Sequence, residues 1–357
     1  MPDLRLFKPQ GMLHEGWTAQ VDDYALTCGW LFKGDALLVA DVCGGLYSLD
    51  GSTGSINWQT KELHQGGLLA MAIHPEQNLF ATAGQDGCLQ IWSSETYEVL
   101  HAIKLGRGWV EHLTWSPDGK YLAVSMSRHA YVFGINAKEH WRSDEHSSTV
   151  SAIAWSSTTE LATSSYGRVT FFDISKDTVN QKLEWQGSLV SMVLSPDGDV
   201  VACGSQDNSV HFWRRSTGKD AEMTGYPGKP SQLAFDQTGQ LLATGGSEQI
   251  TVWSFKGDGP EGTLPGQLNV HAESISSLVF ANNGPLLASG AKDGSVLVWF
   301  LDKHGDGNPL GGVFVGEKIS NIAWRPDDNA IAAIDARGGV NVYKFKLRSQ
   351  TSAKGFS

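Results

Sequence analysis

The stretch Gly84-Gln85-Asp86-Gly87-Cys88-Leu89-Gln90-Ile91-Trp92 constrains this chain more than any other. A turn dipeptide, Asp86-Gly87, leads into alternating residues that end on a tryptophan. The pattern returns as Ala291-Lys292-Asp293-Gly294-Ser295-Val296-Leu297-Val298-Trp299, and again as Ser205-Gln206-Asp207-Asn208-Ser209-Val210-His211-Phe212-Trp213. In all three the tryptophan stands six places after the aspartate. Each copy reads as a turn followed by a short strand.

The unit extends in both directions. Leu79 to Ala83 is a short β-like run ahead of Asp86, and Leu68 to Pro75 is another, closed by a proline turn. Val99 to Lys104 follows Trp92. These make four short strands, a to d, each bounded by Gly, Pro, Asp or Ser. The turn after strand a recurs as Ser116-Pro117-Asp118-Gly119, Ser195-Pro196-Asp197-Gly198 and Arg325-Pro326-Asp327-Asp328. Proline pre-sets φ there and glycine accepts positive φ, so these are hairpin connections.

Eight copies can be aligned on the tryptophan place, which holds Leu49, Trp92, Phe133, Phe172, Trp213, Trp253, Trp299 and Tyr343. The gaps run 43, 41, 39, 41, 40, 46 and 44 residues. Four strands at this period predict an all-β, closed eight-bladed β-propeller of four-stranded antiparallel blades, with seven blades as the alternative. One such sheet cannot bury both faces alone, whereas a ring of them covers every face. The eighth copy lacks its last strand. The segment at about 11–20 is expected to supply it and lock the ring, with Leu4 to Lys8 as another donor. The expected blades lie at about 21–60, 64–104, 106–142, 146–185, 187–226, 229–270, 271–316 and 317–346, with a disordered tail at 347–357.

At this point the residues resemble the WD-repeat propeller family over nearly the whole chain. That family carries a His before strand a, a Ser or Thr on strand b, an Asp in the b–c turn and a Trp on strand c. The second copy matches at His64, Thr82, Asp86 and Trp92, and the seventh at His271, Ser289, Asp293 and Trp299. The resemblance implies that each tetrad is a hydrogen-bonded chain within a blade. A half-buried carboxylate is costly unless paired, and such a chain satisfies it. His64 and Asp86 therefore read as a structural pair and not as a catalytic dyad. Other copies depart from the pattern. The fourth keeps His146 and Thr163 but puts Tyr166 and Phe172 in the Asp and Trp places. The fifth has Trp185 and Cys203 for the His and Ser, while the third and eighth put Arg128 and Arg337 at the Asp place.

Composition removes several classes of function. The 357 residues carry a formal charge of −11, which argues against a nucleic-acid binder and suits a protein that binds proteins. Hydrophobic residues make up 41%, enough for a well-buried fold, and no run reaches the ~18 apolar residues of a membrane span. No signal segment opens the chain, so a cytoplasmic location is expected. Cys28, Cys43, Cys88 and Cys203 form no CxxC pair and read as buried free thiols. Ser205 to Trp213 misses a sialidase-type Asp box in its glycine and its tryptophan spacing, and no P-loop, GxSxG elbow or HExxH is present. His140 with His146 and the Asp302 to Asn308 stretch read as polar loops in preference to metal sites. No enzyme activity, cofactor or metal is expected.

What remains is surface. The b–c and d–a connections of such propellers emerge on one rim around the central channel. By position that rim should carry Arg107, Trp109, Arg128, Tyr166, Arg168, Gln206, Lys292 and Arg337 as candidate partner contacts. Arg107 with Trp109 is the favoured pair, because Trp and Arg are enriched at binding hot spots. Basic residues there suggest an acidic protein or peptide partner. The expected function is a non-catalytic scaffold or adaptor, monomeric outside its complex. The alternative is a propeller enzyme or metal-binding protein with its site at the channel mouth.

Overall fold

The Pro-Asp-Gly turns show how local chemistry lays out the strands. In the computed structural model, which describes residues 13–257 and 259–346, Ser116 Oγ donates to Asp118 Oδ1 at 2.7 Å. Ser116 Oγ in turn accepts the Tyr121 N–H at 3.0 Å. Gly119 completes the turn at φ +69°, a backbone state that side chains disfavour. Ser195 and Asp197 repeat the device ahead of Val200. Each such turn reverses the chain from strand a into strand b.

The described residues form 32 strands, arranged as eight antiparallel sheets of four. Seven blades take their strands in chain order, the first being Ala25–Trp30, Ala36–Asp41, Leu46–Asp50 and Ile56–Thr60. The eighth takes Ile319–Trp324, Ala330–Asp335 and Gly339–Phe345, then borrows Leu13–Gln20 from the other end of the chain. That strand pairs from Leu13 with Phe345 to Gln20 with Gly339. The ring is an eight-bladed propeller closed by its N-terminal strand, which removes the seven-bladed alternative. Residues 11–12, Leu4 to Lys8 and the expected tail at 347–357 fall outside the described residues.

Burial follows strand position. The b strands Ala36–Asp41, Leu286–Ala291 and Ala330–Asp335 are buried at every residue, because a neighbouring blade covers each face. Outer strands such as Val99–Lys104 remain half exposed. Eight apolar clusters fill the gaps, one between each pair of neighbouring blades. The cluster between the eighth and first blades joins Trp17, Leu37, Leu49, Ile334 and Val342. No blade keeps an unpaired apolar face, and this is where the ring draws its hydrophobic stabilisation.

Tryptophans at the ends of the a strands add a polar tie between blades. Trp115 donates its indole N–H to Ala72 O at 3.2 Å, and Trp155 donates to Thr114 O at 3.1 Å. Trp324 reaches Val279 O and Trp30 reaches Ala323 O, both at 3.2 Å. Each indole thus bonds the inner strand of the preceding blade. The cysteines depart in part from expectation. Cys28 and Cys203 are buried, but Cys88 is half-buried and Cys43 is exposed. Cys43 sits in a b–c turn, where it donates to Asp23 at 3.0 Å.

Candidate functional site

The b–c turns and d–a loops are laced together by backbone hydrogen bonds. Gln85 N donates to Gly67 O, Leu105 N to Gly87 O, Gln206 N to Ser188 O, and Lys292 N to Ser274 O. Val315 N to Gly294 O and Ala336 N to Lys318 O continue the series. Each bond joins a b–c turn to a d–a loop, so these connections share one rim. The lacing satisfies backbone groups that a loose loop would leave to water, and it holds the rim rigid.

Two blades anchor their loops with complete side-chain chains. In the second, Trp92 Nε1 donates to Thr82 Oγ1 at 3.1 Å, and that hydroxyl faces His64 Nε2 at 3.0 Å. An indole only donates and a carboxylate only accepts, so the hydroxyl gives its own proton to Nε2 of the neutral ring. His64 then carries its proton on Nδ1, 3.1 Å from Asp86 Oδ1. Burial pushes the His64 imidazole below its ordinary 6.5 despite Asp86. Burial also works against the Asp86 carboxylate, but the Cys88 N–H and His64 outweigh it and hold the group below 3.8. In the seventh blade Trp299 donates to Ser289 at 2.8 Å, and Ser289 meets His271 Nε2 at 2.7 Å. There Ser295 stands between His271 Nδ1 and Asp293, at 2.6 and 2.5 Å, while Asp293 also accepts from the Ala272 N–H. Every proton of these chains is committed to holding a loop.

The departing copies solve the same problem by other means. In the fourth, His146 Nε2 meets Thr163 Oγ1 at 2.9 Å and Nδ1 donates to Arg128 O at 3.0 Å. His146 is therefore a buried loop anchor and not part of a solvated loop, and His140 lies apart from it, tilted against Tyr121. Tyr166 does not replace an aspartate. Ser165 pairs directly with Arg168, so this b–c turn is one residue shorter and has no such place. Met126 pairs with His129, so Arg128 likewise sits in a two-residue turn. In the fifth, Trp185 stacks on the buried His211 with ring centres 3.8 Å apart.

Three anchors escaped the sequence reading. Tyr226 fills the His role of the sixth blade, accepting from Trp253 Nε1 at 2.9 Å and meeting Thr244 Oγ1 at 2.9 Å. It stands 18 residues before Thr244, the interval between His64 and Thr82, so spacing alone could have found it. In the first and eighth blades Asp41 and Asp335 each accept the N–H of the glycine four places on, Gly45 and Gly339. A shared Asp-x-x-Gly-Gly is the signal. The carboxylate of the eighth blade is thus Asp335, two places ahead of the Arg337 position.

The rim candidates divide by what holds them. Trp109 is 53% exposed and Tyr166 is 62% exposed, and Arg107 and Gln206 are exposed as well. Arg128 is engaged: its Nε donates to His146 O at 2.7 Å and it pairs with Glu145 at 2.8 Å. Arg337 pairs with Glu317 at 3.1 Å. Arg168 is half-buried against the fourth blade, 3.7 Å from Glu184. Lys292 is exposed at a cavity of about 460 Å³ that also draws on Tyr24, Gln232, Lys318 and Ser320. Among the described residues no three of His, Cys, Asp and Glu come together as a metal would need. Among the described residues no helix is long and apolar enough to cross a membrane.

Known proteins match this geometry. The family described as "WD domain, G-beta repeat" matches at residues 58–93, 179–214 and 262–299. Each match starts in or just before strand d of one blade and ends in strand c of the next, so the sequence repeat straddles two blades. The chain is 23% identical over 287 residues to Autophagy-related protein 16 of Arabidopsis thaliana, covering 78% of this chain and 55% of that protein. It thus spans about half the length of that relative. It is 24% identical over 277 residues to the guanine nucleotide-binding protein subunit beta of Oryza sativa subsp. japonica, covering 68% of this chain and 70% of that one. Among solved structures, the computationally designed Ika8 protein superposes with a TM-score of 0.80 at 18% identity, over 93% of this chain and 100% of its own. A chain of a mitotic checkpoint complex superposes with a TM-score of 0.64 at 17% identity, over 78% and 87%. The solved structures speak to the fold.

Proposed function

From a chain that belongs to the WD-repeat β-propeller family, we propose a non-catalytic platform that holds partner proteins or peptides on the rim of its b–c and d–a loops. The observation that carries this is the rim itself. Its backbone is fixed by cross-loop hydrogen bonds, while Arg107, Trp109 and Tyr166 point outward with no structural duty that would explain their size. A rigid surface bearing exposed aromatic and basic side chains lowers the ordering cost of binding. Relatives named for guanine-nucleotide-binding and autophagy proteins support a binding role over a chemical one. The tetrads agree, since their histidines and aspartates are consumed in holding loops. We place the activity in the cytoplasm and read the partner surface as acidic, opposite Arg107 and Lys292. The test is capture of partners from a lysate by the native chain and by Arg107→Ala/Trp109→Ala. The platform reading expects specific partners to be lost from the variant.

A further inference from the structure

The fourth blade lacks the carboxylate that the second and seventh carry, and Arg128 O takes its place opposite His146 Nδ1. The short turn Tyr166-Gly167 leaves no place for an aspartate, and Phe172 brings no indole N–H. A cavity of about 130 Å³ opens there, lined by Ser165, Arg168, Thr170 and Lys182 of the sheet and by Asp144 and Glu145 of the incoming loop.

Two buried polar atoms among those lining residues, Ser165 Oγ and Arg168 Nε, have no hydrogen-bond partner. Ser165 is 1% exposed. A buried donor left unmade is costly, and native structures seldom leave one without a ligand, an ion or water. Arg168 can donate but never accept. Its nearest carboxylate, Glu184, lies 3.7 Å away, beyond hydrogen-bond reach. His146 is committed to Thr163 and Arg128 O, so it offers no free donor. Lys182 adds a second, exposed cation. Of the two acids, Glu145 is taken up by Arg128 at 2.8 Å. Asp144 is exposed at the lip, where it disfavours a polyanion and tolerates a single charge.

We propose that this corner binds one oxyanion, a carboxylate or a phosphoryl group on a partner's side chain. The oxyanion accepts from Arg168 Nε and Ser165 Oγ, with Lys182 beside it. That a partner presents the group rests on the docking role above. The anion site itself rests on the unpaired donors.

The experiment follows the Arg168 Nε–H signal by NMR while the chain is titrated with inorganic phosphate, with acetate, and with short peptides bearing one phosphoserine or one glutamate. Saturable binding that shifts this signal is expected. It should weaken about tenfold or more in Arg168→Gln when read by calorimetry, and less in Ser165→Ala. Lys182→Met changes an exposed side chain, so it keeps the fold while weakening binding. Which probe binds decides between phosphoryl and carboxylate. If no probe moves the signal, or if Arg168→Gln and Lys182→Met bind as the native chain does, the cavity holds water and the proposal is overturned. Phosphate binding that persists in Arg107→Ala/Trp109→Ala separates this site from the Arg107 and Trp109 surface, whatever becomes of partner capture.

Discussion

Trp30 Nε1 donates to the carbonyl of Ala323 at 3.2 Å, joining residues 293 positions apart across the seam where the ring closes. The same bond links Trp115 to Ala72 between blades that adjoin in sequence. Trp30→Phe keeps the aromatic packing and removes the N–H, leaving one half-buried carbonyl unpaired. A loss of about 1 kcal/mol is expected in denaturant unfolding. Trp115→Phe should cost a similar amount, because the bond has the same geometry at both junctions.

The borrowed strand offers a larger effect. Trp17 is buried between the eighth and first blades, and its indole donates to Gly51 O at 3.1 Å. Trp17→Ala should destabilise the chain by about 3–5 kcal/mol, the usual cost of emptying a large aromatic site. Loss of the N-terminal strand's protection in hydrogen exchange should accompany it. An unchanged melting temperature would show that the ring does not depend on this strand.

The loop anchors give a third set. Thr82→Val removes the one hydroxyl that joins Trp92 to His64, leaving two buried nitrogens unpaired. A cost of about 2–4 kcal/mol is expected, at the upper end because both partners are orphaned. Tyr226→Phe should lose about 1–3 kcal/mol by removing the oxygen that Trp253 and Thr244 share. Thermal unfolding of the two variants checks both values.

Acid sensitivity follows from the buried imidazoles. Burial pushes His64, His74, His112 and His146 below their ordinary 6.5. A histidine with a depressed folded pKa binds protons more readily when unfolded. Stability is therefore full above about 6.5 and falls as pH drops through that value toward the folded pKa. Asp86, held below 3.8, adds a second loss as pH falls under that value. Unfolding free energy measured from pH 7.5 to 5 should decline on the acid side, and a flat profile would contradict neutral burial of these rings.

Much of the ring was legible in the residues. Asp-Gly turns, Pro-Asp-Gly turns and a terminal aromatic mark strand order because each fixes a backbone angle or a buried corner. The copies that blurred are those where another group does the anchoring. Tyr226 replaces a histidine, Asp41 and Asp335 act from the end of strand b, and Arg128 O serves where the third and fourth blades shorten their turns. A backbone carbonyl leaves no mark in the side-chain sequence. Nor do burial and pairing, which is why Arg128 and Arg337 read as free rim cations although Glu145 and Glu317 hold them.

The docking claim is tested most directly by a partner recovered with the native chain and then titrated by calorimetry against three forms. These are the native chain, Arg107→Ala/Trp109→Ala on the rim, and Ile135→Ser in a c–d turn on the opposite face. The expected result is affinity weakened about tenfold or more in the rim variant and unchanged in Ile135→Ser, with equal melting temperatures throughout. Equal affinity in the rim variant, or a loss confined to Ile135→Ser, would contradict the rim as the working surface of this propeller.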